Sequence, residues 1–335
     1  MKDWAKRTIL DSGTLRLAAG FHGPSAAILM YHSVLPDPSV QADSLGGIAH
    51  SELVFRAQME LLARDFHPIS LDEAVKHVLG GDDFPKRSVV VTFDDGYTDN
   101  HEFAMPVLNQ VGVPATFYVT VDCVENRRLP WPSRLRFALS TTKRSTWVDS
   151  VAKTWILNDS AENDSARREE ALLAACDLCC QLSGTAQEAF VSRVEQELEA
   201  RIPSESGSLM MSYDHLRSLT QHGHTVGSHT MTHPNMAYVK EDEARHELTH
   251  SKHLLELHLE RPIQHFSYPC PALSPHWNAQ TVELSRAAGY ETGVTTTSGL
   301  TRRGDNPLCL KRIRPTKTLP GLRWNLENAF AGRAV

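Results

Sequence analysis

Two adjacent carboxylates, Asp94 and Asp95, follow the apolar run Val89-Val90-Val91-Thr92-Phe93 and precede Gly96. At the end of a buried strand two acids repel each other and lose water, so a cation must offset them or one must stay protonated. A metal ion is the expectation. The turn at Gly96 would let one carboxylate face the metal while the other reaches a bound water. The competing reading is a plain Asp-Asp-Gly turn between elements.

The second half of the chain offers two H-x-x-x-H pairs. His246-Glu247-Leu248-Thr249-His250 has the literal H-E-x-x-H spacing that puts two zinc ligands and a general base on one helix face in metallopeptidases. Its flanks, Lys240 to Arg245 and Ser251 to His253, are polar. A catalytic zinc helix lines a dry cleft, so this stretch reads as a solvated helix face. The other pair lies in Gly227-Ser228-His229-Thr230-Met231-Thr232-His233-Pro234, where a strand runs out and Pro234 bars a helix. Two imidazoles and one carboxylate leave positions open for water and substrate, as a hydrolytic metal site requires. Asp95 supplies the carboxylate.

These residues need elements to position them. Residues 1–25 read as a short amphipathic helix, and Ala27 to Tyr31 as a buried strand ending at the polar His32. Phe55, Met59, Leu62 and Phe66 recur at helical spacing, and Ser70-Leu71-Asp72-Glu73 has capping-box spacing before a helix closed by Gly80-Gly81. A helix from Asn100 to Val111 ends at Gly112, and a strand follows from Ala115 to Thr120. Residues 122–208 change character, with helical segments at 166–182 and 186–202, and read as a helical insertion. A helix capped at Ser212 then leads to a strand ending at His229. Strands ending near His32, Asp94, Thr120, His229, Tyr268, Thr295 and Ile313 give seven β units with polar groups at their C-terminal ends, where a (β/α) barrel keeps its active site. The expected organisation is an N-terminal helical segment (1–25), a first barrel part (26–121), the insertion (122–208) and a second barrel part (209–335).

Composition narrows the function classes. The 335 residues are 41% hydrophobic and 22% charged, ordinary for a soluble globular chain. A net charge of -6 and a pI near 6.3 give no general attraction to nucleic acid or anionic lipid. No run approaches transmembrane length, though peripheral membrane association stays open. Six cysteines lack disulfide-framework spacing, so reduced thiols are expected. The N-terminal residues show no apolar export signal, which predicts a cytoplasmic protein.

Thr92-Phe93-Asp94-Asp95-Gly96 and Ser228-His229-Thr230-Met231-Thr232-His233 resemble the first two motifs of the polysaccharide deacetylase, or NodB-homology, family. The similarity runs from about Ile28 to Pro315, interrupted by the insertion. It implies an α/β fold, a distorted seven-stranded (β/α) barrel, that hydrolyses N-acetyl groups on an amino-sugar polysaccharide, oligosaccharide or glycolipid intermediate. It also implies a divalent metal, zinc first, with nickel, cobalt or manganese as alternatives. In family terms Asp94 is the general base and Asp95, His229 and His233 are the metal ligands.

Two departures stand out. The third motif is commonly Arg-x-Pro-aromatic, whereas the aligned residues are Ser267-Tyr268-Pro269-Cys270, so the arginine that orients the base is expected to be missing. Cys270 would still offer its backbone N–H to the oxyanion, and Tyr268 and Pro269 would contact substrate. No acid histidine follows His276, and Leu29-Met30-Tyr31-His32 resembles a branch that carries it on the first strand, which makes His32 the candidate acid. Alternatives are a cyclic imide or ureide amidohydrolase on the same fold, a non-catalytic glycan-binding protein, and the H-E-x-x-H metallopeptidase.

Overall fold

The apolar runs form the staves of a barrel. The computed structural model describes residues 3–37, 48–158, 164–201 and 208–334; the expected helix end at Ile202 and part of the loop after the first strand lie outside them. Seven parallel strands follow one another around the sheet: β1 (Ser25–Tyr31), β2 (Ser88–Phe93), β3 (Ala115–Val119), β4 (Thr225–Ser228), β5 (His265–Ser267), β6 (Thr292–Ser298) and β7 (Leu310–Arg312). The ring closes where Met30 N–H donates to Ile313 O at 3.1 Å and Ile313 N–H donates to Ile28 O at 2.7 Å. A register shift between Val294 and Ser298 distorts the β6–β7 side. The expected barrel is thus present, with short accessory strands on β1 and β2.

Every residue of β1 and β2 is buried, because helices cover the outer face of a parallel sheet while side chains fill the barrel. Phe55, Met59 and Leu62 of helix Glu52–Asp65 join Leu29, Val91 and Phe117 in one core. Each such side chain contributes about 1.5–3 kcal/mol on burial. Ser51, Ser70 and Ser212 cap the helices that follow them, and Gly112 ends its helix at φ 68°. Inside the barrel Gly227 leaves room for Tyr118: a Cβ there would stand 2.6 Å from the ring.

The N-terminal segment differs from the single helix expected. It breaks at Gly13 (φ 71°) into Asp3–Asp11 and Thr14–Ala19, and Leu10 and Leu15 pack with Ala331 beside the C-terminal helix Leu319–Phe330. Arg16 and Arg87 both pair with Glu327 of that helix. The insertion has its own core, in which Trp131, Leu135, Leu172, Cys179, Phe190 and Val194 meet. It is not purely helical: besides helices Trp131–Thr141, Asp164–Cys179 and Gly184–Glu197 it carries a hairpin, Thr146–Val148 with Thr154–Ile156, whose Trp147 and Trp155 stand opposite each other. All six cysteines are free. No helix among the described residues is long and apolar enough to cross a membrane.

Candidate active site

Asp94 and Asp95 come to one side because the backbone turns at once. Asp95 adopts φ 77° and Gly96 φ 94°, and a Cβ on Gly96 would stand 3.0 Å from Val119 Cγ1, so the second position requires glycine. Both acids line one cavity of about 210 Å³ together with His32, His229, His233 and Cys270. The cavity sits at the C-terminal ends of the strands. The insertion supplies its other wall through Pro130, Ser133, Arg136, Leu172 and Cys176.

Ligand atoms of Asp95, His229 and His233 lie within 4.8 Å of one another, and among the described residues no other such cluster occurs. His229 Nδ1–H donates to the Ser267 carbonyl at 2.8 Å, which leaves the Nε2 lone pair facing Asp95 Oδ1 at 3.5 Å. His233 Nε2 also stands 3.5 Å from Asp95 Oδ1. Two donors on a tetrahedral ion at about 2.1 Å each lie about 3.4 Å apart, so these separations suit ligands around one cation. Charge agrees. Burial, and then the neighbouring Asp94, push Asp95 up to about 8, the behaviour of a carboxylate that needs a cation to stay ionised. Burial lowers both histidines, His233 well below the usual range, so their lone pairs are available for coordination. The residues therefore fit a divalent metal.

The loop that carries the histidines is strained. Thr230 (φ 67°) and His233 (φ 62°) are left-handed non-glycine residues, a conformation that costs about 1–3 kcal/mol each and persists only where surroundings hold it. Trp131 of the insertion donates its Nε1–H to His233 O at 2.9 Å, and Asn235 N–H donates to Cys180 O at 3.2 Å.

Asp94 has a different partner. Arg312, fully buried on β7, grips it with Nη1 to Oδ1 at 2.8 Å and Nη2 to Oδ2 at 2.7 Å, and donates through Nε to Thr295 O at 2.9 Å. Burial would raise Asp94, but Arg312 and then His229 outweigh it and hold the carboxyl well below the ordinary carboxylate range. The expectation that the orienting arginine is missing is thus corrected: it comes from the last barrel strand, 218 residues away in sequence, and not from the third-motif position. Ser267, aligned with the arginine's place, instead accepts from Arg312 Nη2 at 3.1 Å.

His32 is half-buried at the end of β1. Its carbonyl accepts from Asn100 Nδ2 at 2.6 Å, and Asp99 accepts from Ser33 Oγ at 2.6 Å and Val34 N at 3.1 Å, which fixes the strand end. Burial pushes the imidazole down to about 3, with Asp94 opposing. Cys270 reaches the cavity wall, its thiol 3.1 Å from His276 Nε2. Tyr268 and Pro269 do not reach it. Tyr268 is 1% exposed, bonds Ser285 Oγ at 3.1 Å and packs on Phe266 and Trp277. Strand alternation is the reason: Ser267 faces the Asp94 side, so its neighbour must point out towards helix Ala279–Ala287. Pro269 is buried and is not among the residues that line the cavity.

The second histidine pair is only half as expected. His246 is exposed and His250 partly so on helix Glu241–Leu259, as a solvated face requires, but Glu247 between them is 2% exposed. Its Oε2 accepts from Met231 N at 2.8 Å and Thr232 N at 2.9 Å, and its Oε1 from Thr232 Oγ1 at 2.5 Å. The sequence signal was its spacing: Glu247 falls with Ala244, Leu248, Ser251 and Leu255 on the buried stripe of the helix.

Comparison with known proteins agrees with this geometry. The family "Polysaccharide deacetylase" matches residues 81–155 and 191–293. The chain is similar to YxkH of Bacillus subtilis, a protein named for the same family, at 20% identity over 295 residues, 88% of this chain and 72% of that protein. Among solved structures it shares its fold with the Streptococcus pyogenes deacetylase PplD in complex with acetate (TM-score 0.59, 18% identity, 90% of this chain and 97% of that one). It does so also with IcaB from Ammonifex degensii (TM-score 0.58, 19% identity, 92% and 98%). A family match over more than half the chain, falling on a barrel whose strand ends carry the Asp-Asp and His-His motifs, makes this chain a member of the polysaccharide deacetylase family and a carbohydrate N-deacetylase.

Proposed function

We propose that the protein is a metal-dependent hydrolase that removes N-acetyl groups from an amino-sugar-containing polysaccharide, oligosaccharide or glycolipid intermediate. The observation that carries this reading is the convergence of the Asp95, His229 and His233 donor atoms beside an arginine-paired Asp94 in one cavity. Asp95, His229 and His233 would hold a divalent ion, zinc first among the candidates. When bound, such an ion supplies Lewis-acid polarisation and a lowered pKa for water.

The chain's own groups do the rest. Asp94, kept ionised and oriented by Arg312, accepts a proton as water adds to the acetyl carbonyl. Cys270 lines the cavity, and its N–H would donate to the developing oxyanion, a contact worth about 100 to 1,000-fold in rate. His32 protonates the nitrogen as the C–N bond breaks, giving acetate and a free amine. Because burial holds His32 neutral at rest, its proton has to arrive during the cycle, and Asp94 is the neighbouring group whose charge favours a proton there. The insertion wall would govern which glycan enters.

Acetate release from a panel of N-acetylated oligosaccharides, by protein stripped of metal with a chelator and then restored with zinc, tests the reading. Release that disappears and returns with zinc is expected. Turnover of a cyclic imide with no acetate from any glycan would replace it with the amidohydrolase alternative.

A further inference from the structure

The glutamate of the second histidine motif serves the first. Glu247 turns away from His246 and His250 and reaches the loop between His229 and His233, where it accepts three hydrogen bonds from Met231 and Thr232. We propose that Glu247 is a positioning residue for the metal centre, holding this loop in the one shape that aims both imidazoles at Asp95. The inference rests on the metal-binding reading above.

His229 and His233 are oriented by different means. A ligating histidine is usually aimed by a hydrogen bond from its other ring nitrogen. His229 has one, from Nδ1–H to Ser267 O, whereas His233 Nδ1 is buried without a partner. The direction of the His233 ring therefore depends on its backbone. That backbone is a turn with left-handed residues at both Thr230 and His233, which needs restraint from outside. Part of the restraint is local, since His233 N–H donates to Thr230 Oγ1 at 3.0 Å. Glu247 supplies a restraint referenced to the barrel: its helix is seated in the main core by Leu248 and Leu255, so the carboxylate is a fixed anchor for the Met231 and Thr232 N–H groups. Three hydrogen bonds to one buried side chain thus tie two adjacent residues of the loop to the helix.

The test is zinc affinity of the metal-free full chain, measured by competition with a chromophoric chelator. Glu247→Met keeps the volume and accepts no hydrogen bond; it should weaken zinc by about 10 to 100-fold. Glu247→Gln keeps one carbonyl oxygen for the two N–H groups and should lose less. Leu62→Ala, buried in the same core on helix Glu52–Asp65, should lower thermal stability and leave zinc affinity unchanged, which separates positioning from general loosening. Wild-type affinity in folded Glu247→Met, or an equal loss in Leu62→Ala, would overturn the proposal. If Glu247→Met does not fold, Thr232→Val, which removes one of the three bonds, decides: a several-fold weakening supports the proposal and wild-type affinity overturns it. A wild-type chain that takes up no zinc would fail at the metal reading itself, an outcome distinct from zinc bound equally by wild type and Glu247→Met.

Discussion

The two H-x-x-x-H pairs hold their rings at the same separation: centroids are 4.9 Å apart in His229–His233 and 4.9 Å in His246–His250. Their planes differ, 70° in the first and 20° in the second, where successive helix turns stack the rings. The larger difference is what surrounds them. The first pair is buried at the end of a barrel strand, opposite a carboxylate that burial and Asp94 push up to about 8; the second lies on a wet helix face with no third donor among the described residues. Spacing alone does not make a metal site. Desolvation and a converging third ligand do, because only they make an ion worth more than water to the side chains.

The comparison predicts a graded set of losses. The largest is His229→Ala, which should lose stoichiometric metal and all N-acetyl hydrolysis, as metal analysis after gel filtration would show; metal retained in full would break the assignment. Next comes His32→Ala. It should lose N-acetyl hydrolysis by about 100 to 10,000-fold while keeping much of its activity on an aryl acetate, whose phenolate leaves without a proton. Equal losses on both substrates would remove His32 from the mechanism.

Arg312→Met should destabilise the chain by about 3–5 kcal/mol, since it strands Asp94 as a buried unpaired charge; chemical denaturation reads this. Pairing it with Asp94→Leu should recover part of the loss, and no recovery would mean that Arg312 stabilises the barrel chiefly through Thr295 and Ser267. The smallest effect belongs to His246→Ala. Its metal content should match wild type and its stability should change by less than about 0.5 kcal/mol. A loss of metal here would restore the second pair as the ligand site.

Much of this was legible in the sequence because it is local. Val89 to Phe93 is apolar on both faces and so has to be a covered strand; Gly96 and Pro234 mark where strand and turn give way; and the acids and histidines stand at those marks. The seven strand ends were readable for the same reason. What escaped depends on neighbours that the chain order does not reveal. Arg312 reads as one cation in a short strand until ring closure sets β7 beside β1 and β6, with Asp94 in reach across 218 residues. Glu247 reads as part of a polar helix until that helix docks with its Ala244–Leu248–Leu255 stripe inward. Tyr268 was placed in the pocket by alignment and outside it by the pleat, because which of two neighbouring strand residues faces the barrel is fixed by register with β6 and not by residue type. Residue types and their punctuation thus determined that the chain builds strands with acids and histidines at their ends. Tertiary packing decided which charges neutralise one another, since burial is what makes an unpaired carboxylate or guanidinium too costly to leave alone.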